Sequence, residues 1–138
     1  MRTLYRANQQ ERTRIVDQVA AALAREPNIA FAYLYGSFQT PDSFHDIDIG
    51  IYLTRCRPGL DTMYALDLTQ RLADLISFPI DTRILNDAPV SFLYHVLKGR
   101  PLHIQDEELL TRLMEQVVRQ YLDMAPLLRQ STREAFAG

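Results

Sequence analysis

Residues 29–53 read IAFAYLYGSFQTPDSFHDIDIGIYL, and the fold depends on how this stretch divides. Ile29 to Tyr35 is a nearly unbroken apolar and aromatic run that stops at Gly36-Ser37. Ile47 to Leu53 alternates strictly, with Ile47, Ile49, Ile51 and Leu53 on one side. Both segments read as strands.

Outward from this pair the hydrophobic period changes to that of helices. From about Gln9 to Glu26, Ile15, Val19 and Leu23 recur every four residues beside Val16 and Ala20, and Pro27-Asn28 ends the pattern. Between Pro58-Gly59 and Pro79, Leu68, Leu72, Leu75 and Ile76 predict a second helix, with Asp61 or Thr62 placed to cap it. Ile80 to Leu85 reads as a third strand. Asn86-Asp87-Ala88-Pro89 predicts a helix start with proline at the first helical position, and Lys98-Gly99 its stop. Leu102-His103-Ile104 is a short extended piece. From Asp106, the positions Leu109, Leu110, Leu113, Val117 and Tyr121 predict a fourth helix that Pro126 kinks or ends, with room for a further helix after it. The expected class is α/β (α+β), a small mixed sheet with helices packed on it and a C-terminal helical extension. Residues 1–138 are expected to form a single domain, its catalytic core about 28–105 and its C-terminal helices about 106–136.

The chain has 138 residues, of which 47% are hydrophobic and 23% charged, so a globular core is expected and disorder is not. Fifteen basic residues nearly cancel seventeen acidic ones, and no Lys/Arg run covers a face. That argues against gripping long nucleic acid through counterion release. The single Cys56 can form no internal disulfide, and neither a leader nor an apolar run of about 18 residues is seen. A cytoplasmic protein without a membrane segment is expected.

Chemistry concentrates at Gly36-Ser37 and Asp46-Ile47-Asp48. Residues two apart on a strand point to one face, roughly 6.5 Å apart at Cα, so Asp46 and Asp48 project together while the isoleucines face the core. Like charges so placed repel unless a cation sits between them, and Mg²⁺ suits hard carboxylate oxygens. Gly50, next on that face, is expected to leave the strand surface open to a ligand. Gly36-Ser37 ends a strand in a tight turn whose N–H groups and hydroxyl can cradle phosphate oxygens. Asp81, in the next strand, can join the first two carboxylates. Three carboxylates and a phosphate cradle describe a two-metal nucleotidyl-transfer site. His95 and His103 show no ligand spacing with Cys56, so zinc is not expected, and His95 reads as helix surface. Phe31, Tyr33 and Tyr35 alternate at strand spacing and read as core and sheet-face packing.

The string Leu34-Tyr35-Gly36-Ser37, eight residues, then Asp46-Ile47-Asp48-Ile49 resembles the hG[GS]…DhDh signature of the DNA polymerase β-like nucleotidyltransferase superfamily, and specifically the minimal nucleotidyltransferase (MNT) antitoxins. The likeness extends through Ile80-Asp81, Leu85-Asn86-Asp87-Ala88-Pro89 and Lys98-Gly99-Arg100-Pro101-Leu102 to Tyr121–Arg129. The resemblance implies that Asp46 and Asp48 bind two Mg²⁺ ions, that Asp81 completes the triad, and that Gly36 and Ser37 hold the outer phosphates of ATP. It also implies a partner, an adjacently encoded HEPN-domain RNase toxin neutralised by transfer of AMP to a toxin tyrosine, in a hetero-oligomer with the toxin. Phe38 and His45 stand where family members often carry a basic residue and a serine, and the eight-residue spacer is shorter than is typical.

After Ile104 only some 34 residues remain, too few for the extra domain with which an RNA-tailing or antibiotic-modifying enzyme binds its acceptor. The acceptor surface is therefore expected from another molecule. Two other readings stand beside the AMP-transferring antitoxin: a nucleotidyltransferase acting on a small molecule or an RNA end, and a non-catalytic antitoxin that blocks its toxin by contact. Tyr121 to Arg129 is expected to serve the partner, the competing reading being that Tyr121 closes the core.

Overall fold

The computed structural model describes the backbone of residues 3–41 and 43–136 and the side chains of residues 3–41 and 43–124. Four helices, α1 (Gln9–Ala24), α2 (Asp61–Ile76), α3 (Val90–Leu97) and α4 (Glu107–Phe136), accompany four strands, β1 (Ile29–Tyr35), β2 (Ile47–Leu53), β3 (Ile80–Ile84) and β4 (Arg100–Ile104). The strands form one mixed sheet in the order β3-β2-β1-β4. β1 pairs antiparallel with both neighbours, and β2 pairs parallel with β3. The expected mixed α/β architecture is therefore the observed one.

Why β1 lacks alternation is visible in the layering. All seven of its residues are buried, because helices cover both of its faces. On one face, Ile15, Val19 and Leu23 of α1 and Leu68, Leu72 and Ile76 of α2 pack on Ile47, Ile49, Ile51 and Leu53. On the other, Leu93 and Val96 of α3 and Leu110 and Val117 of α4 pack on Phe31, Tyr33 and Tyr35. A strand covered twice reads as a continuous apolar run. β2 keeps its alternation because its second face is apolar only in part.

Helix ends follow local chemistry, with some shifts from expectation. Asn8 caps α1 by accepting from the Glu11 N–H at 2.8 Å, and the Glu11 carboxylate faces back to the Asn8 N–H at 3.4 Å, which forms a capping box. Asp61 does not cap α2. Leu60 is the N-cap, and the Asp61 carboxylate turns back to accept from the Arg57 N–H at 2.9 Å. Pro89 is the N-cap of α3 and not its first helical residue, its carbonyl accepting the first helical bond from Leu93 at 3.0 Å. Asn86 acts as a strand surrogate: its side chain accepts from the Leu53 N–H and donates to the Leu53 carbonyl, both at 2.8 Å.

Pro126 does not end α4, which runs unbroken from Glu107 to Phe136 with no separate last helix. A proline nitrogen has no hydrogen to offer the carbonyl of residue 122, so the helix forgoes one bond there and continues. At 1.5 Å per residue it is about 45 Å long. Tyr121 stacks on Tyr94 of α3, ring centroids 3.7 Å apart, so it belongs to the packing of α4 on the body, as the competing reading of that residue held. Beyond it, Leu122 and Met124 are exposed. The side chains of residues 125–129, the rest of the segment expected to serve a partner, lie outside the described residues.

Candidate active site

The parallel register of β2 with β3 sets Asp48 opposite Asp81, and the antiparallel register of β2 with β1 sets Asp48 opposite Tyr35. Tyr35, Asp48 and Asp81 thus form one row across three strands on the face that carries α3. Ile47 and Ile80, one residue back, are also register partners and point into the opposite core. The Ile47 N–H donates to the Pro79 carbonyl at 3.0 Å, which fixes this alignment at the strand ends. Asp46 precedes β2 by one residue and, like Asp48, is half-buried.

Gly36 turns the chain out of β1 with φ +84° and ψ −160°. Only glycine populates that region freely. A Cβ at this position would stand 2.2 Å from Asp48 Oδ2, so the carboxylate lies directly against the glycine backbone. Ser37 follows, exposed, at the start of a single 3₁₀ turn, and its carbonyl accepts from the Thr40 hydroxyl at 2.8 Å. The structure therefore brings Gly36 against Asp48, with Ser37 next in the chain.

Phe38 is an anchor. It is buried against Phe44, ring centroids 4.8 Å apart, under the Arg12 guanidinium 4.8 Å from its ring. Arg12 donates to the Phe38 carbonyl and, at 3.0 Å, to that of Ala7, which ties the turn to α1. Two phenylalanines, Phe38 and Phe44, within an otherwise polar loop were the signal for this role. His45 contacts the Thr3 carbonyl through Nδ1 at 3.2 Å, next to the bridge that pairs Tyr5 with Phe44.

Gly50 does not open the strand surface. A Cβ there would stand 3.0 Å from both Leu85 δ-methyl groups and from Val96 Cγ1, so the glycine makes room for α3 and no ligand reaches it. The site is confined to the level of Tyr35, Asp48 and Asp81 and to the loop beyond.

Three residues not singled out as site residues border this row. Arg83, two after Asp81 and so on the same face, brings Nε to 3.4 Å from Asp81 Oδ2. Its guanidinium lies 5.9 Å from the ring centre of Phe92. Phe92 and His95 each meet Tyr35 edge-on, at 5.6 and 5.8 Å. His95 is exposed, as expected of helix surface, yet its ring reaches the site. Burial, with the negative charges of Asp48 and Asp81, pushes the Tyr35 phenol up to about 12, so it stays a neutral hydroxyl. Strand periodicity could have pointed to Arg83. The α3 residues carry no sequence signal, since their place depends on how that helix lies on the sheet.

Among the described residues, no three His, Cys, Asp or Glu side chains are gathered into a group that could hold a metal ion. The backbone register sets Asp48 opposite Asp81, with Asp48 Oδ2 against Gly36 and Asp81 Oδ2 3.4 Å from Arg83 Nε. The donor set, hard carboxylate oxygens on one face, fits Mg²⁺ chemically. A cavity of about 790 Å³ lined by Arg6, Asn8, Glu11, Pro41 and Ser43 lies beside the loop and does not include the row.

A mixed sheet carrying two strand carboxylates in register, with a glycine turn against one of them, defines a nucleotidyltransferase-type domain. The family Polymerase beta, Nucleotidyltransferase matches residues 17–108, and the chain belongs to it. No curated protein is significantly similar in sequence. Among solved structures, a chain of the MntA–HepT toxin–antitoxin complex aligns with TM-score 0.56 at 17% identity, covering 91% of this chain and 99% of its own. A chain of the complex between the tri-AMPylated Shewanella oneidensis HEPN toxin and its MNT antitoxin gives TM-score 0.57 at 19% identity, with 90% and 98% covered. A toxin–antitoxin structure with AMP-PNP gives 0.59 at 17%, with 91% and 99% covered. At these identities the likeness shows a shared fold. No helix among the described residues is long and apolar enough to cross a membrane.

Proposed function

We propose that this chain is an antitoxin that transfers AMP from ATP to a hydroxyl, a tyrosine for preference, of a HEPN-type toxin encoded beside it. The observation that carries the reading is the Tyr35-Asp48-Asp81 register, with Asp46 beside it and Gly36 against Asp48. Membership of the nucleotidyltransferase family supports the reaction class, and the fold shared with a chain from a tri-AMPylated toxin complex supports the acceptor. In this reading residues 1–138 act as one catalytic unit in the cytoplasm, in a hetero-oligomer with the toxin.

Asp46, Asp48 and Asp81 would hold Mg²⁺, two ions in all, which when bound lower the acceptor hydroxyl's pKa and neutralise the triphosphate. Ser37 and the backbone N–H groups of its turn bind the outer phosphates of ATP and align the α-phosphorus. The acceptor oxygen attacks in line. Its bond to the α-phosphorus forms as the bond to the bridging oxygen breaks, and pyrophosphate leaves. Asp81, more exposed to an incoming partner at the row's β3 end, takes the hydroxyl proton. Tyr35 stays protonated beneath and does not compete as an acceptor, being 6% exposed.

A second reading is an antitoxin that acts by contact alone, which the fold shared with chains of toxin–antitoxin complexes supports equally. Incubation with the neighbouring toxin, Mg²⁺ and α-labelled ATP tests both. Label on a toxin tyrosine, lost in Asp48→Asn, supports transfer. Neutralisation without label, unchanged in Asp48→Asn, supports contact.

A further inference from the structure

We propose that Arg83 is a positioning residue that competes with the divalent cation for Asp81, so that a metal must displace it to engage this carboxylate. The inference rests on the assignment of the three aspartates as metal ligands. Residues 81 and 83 share a face of β3, and Arg83 Nε stands 3.4 Å from Asp81 Oδ2. Opposite Arg83 in register lies Gly50, which offers the guanidinium no side chain. It is supported instead by Phe92, whose ring meets Tyr35 edge-on.

Within the row the two carboxylates have different neighbours: Asp48 Oδ2 lies against Gly36 of the turn after β1, whereas Asp81 Oδ2 faces Arg83 along its own strand. A metal must draw Asp81 off Arg83. Both partners are exposed, 60% and 43%, so the contact is weak and the latch is light. Such a latch tunes affinity and does not block the site.

The test is a double-mutant cycle on metal binding, read on the full-length chain without nucleotide. Calorimetry with Mn²⁺ gives the dissociation constant for wild type, Arg83→Gln, Asp81→Asn and the double variant, and the Mn²⁺-dependent rise in Tm covers the weaker pair. Arg83→Gln is expected to tighten Mn²⁺ about two- to five-fold, the range of an exposed ion pair. In the Asp81→Asn background the same change is expected to do nothing. Unchanged or weaker binding in Arg83→Gln overturns the proposal. So does equal tightening in both backgrounds, which is the signature of long-range charge alone. A wild-type chain that takes up no Mn²⁺, or an Asp48→Asn variant that binds it undiminished, overturns the aspartate assignment itself and this proposal with it.

Discussion

Gly36 and Asp48 are in contact through the absence of a side chain: a methyl group on the glycine would stand 2.2 Å from the carboxylate oxygen. The backbone of Gly36 also lies in a region costing other residues on the order of 1–3 kcal/mol. Gly36→Ala is therefore expected to lower stability by at least that order and to expel Asp48 from its position. Urea unfolding and ATP binding with Mg²⁺ check the two effects, and a variant with wild-type stability and binding would refute the contact.

Asp46→Asn and Asp48→Asn remove charge with little change of volume, on half-buried positions outside both apolar clusters. The fold is expected to survive and transfer to vanish. Wild type should gain about 2.7 kcal/mol of stability at ATP·Mg²⁺ a hundred-fold above its Kd, and the variants markedly less. Full activity of either variant on labelled ATP and toxin counts against the metal assignment.

Ser37 is exposed at the first position of its turn, where it can reach a ligand but not the core. Ser37→Ala is expected to raise KM for ATP with a smaller fall in kcat, since it removes one phosphate contact and no reacting group. A fall in kcat with KM unchanged would take Ser37 out of the cradle.

The Tyr35 phenol is held at about 12 when folded and titrates near 10 when unfolded. Below pH 10 both states are protonated and stability is flat. As pH rises from about 10 to about 12, the unfolded chain releases this proton first, so stability falls, by on the order of 1 kcal/mol per unit. Tyr35→Phe should make that decline shallower. Tyr33 and Tyr64 are also raised, so some decline persists. Equal slopes for both proteins, read by Tm against pH, would contradict the burial of Tyr35.

What the sequence made legible follows local rules. Ile47, Ile49 and Ile51 announced a strand and its core face, and the same period placed Asp46 and Asp48 away from that core. The row with Asp81 needed only successive strands in register. The rest depended on contacts distant in sequence. Gly50 looked open because nothing local indicates that Leu85 and Val96 fold over it. Phe38 looked like a missing basic residue, yet it seats the turn against Phe44 and Arg12. β4 was read as shorter because Pro101 suppresses the strand signal, whereas an edge strand can accommodate it.

The C-terminal segment supplies the last prediction. Tyr121 stacks on Tyr94 and holds α4 to α3, while Leu122 and Met124 are exposed apolar side chains on a helix continuing to residue 136. Exposed apolar residues on a helix are suited to a partner. A chain ending after Leu122 keeps Tyr121, Val117 and Leu110, and so retains those α4 residues that, among the described ones, pack on α3 or in the second core. It is expected to fold, to bind ATP with Mg²⁺ as wild type does, and to lose affinity for the toxin by ten-fold or more, on the order of 1.4 kcal/mol. Modification of the toxin should fall in parallel, because the acceptor is no longer held at the row. Unfolding of the truncated chain would make the segment part of the core, and an unchanged rate of modification would place the docking surface elsewhere.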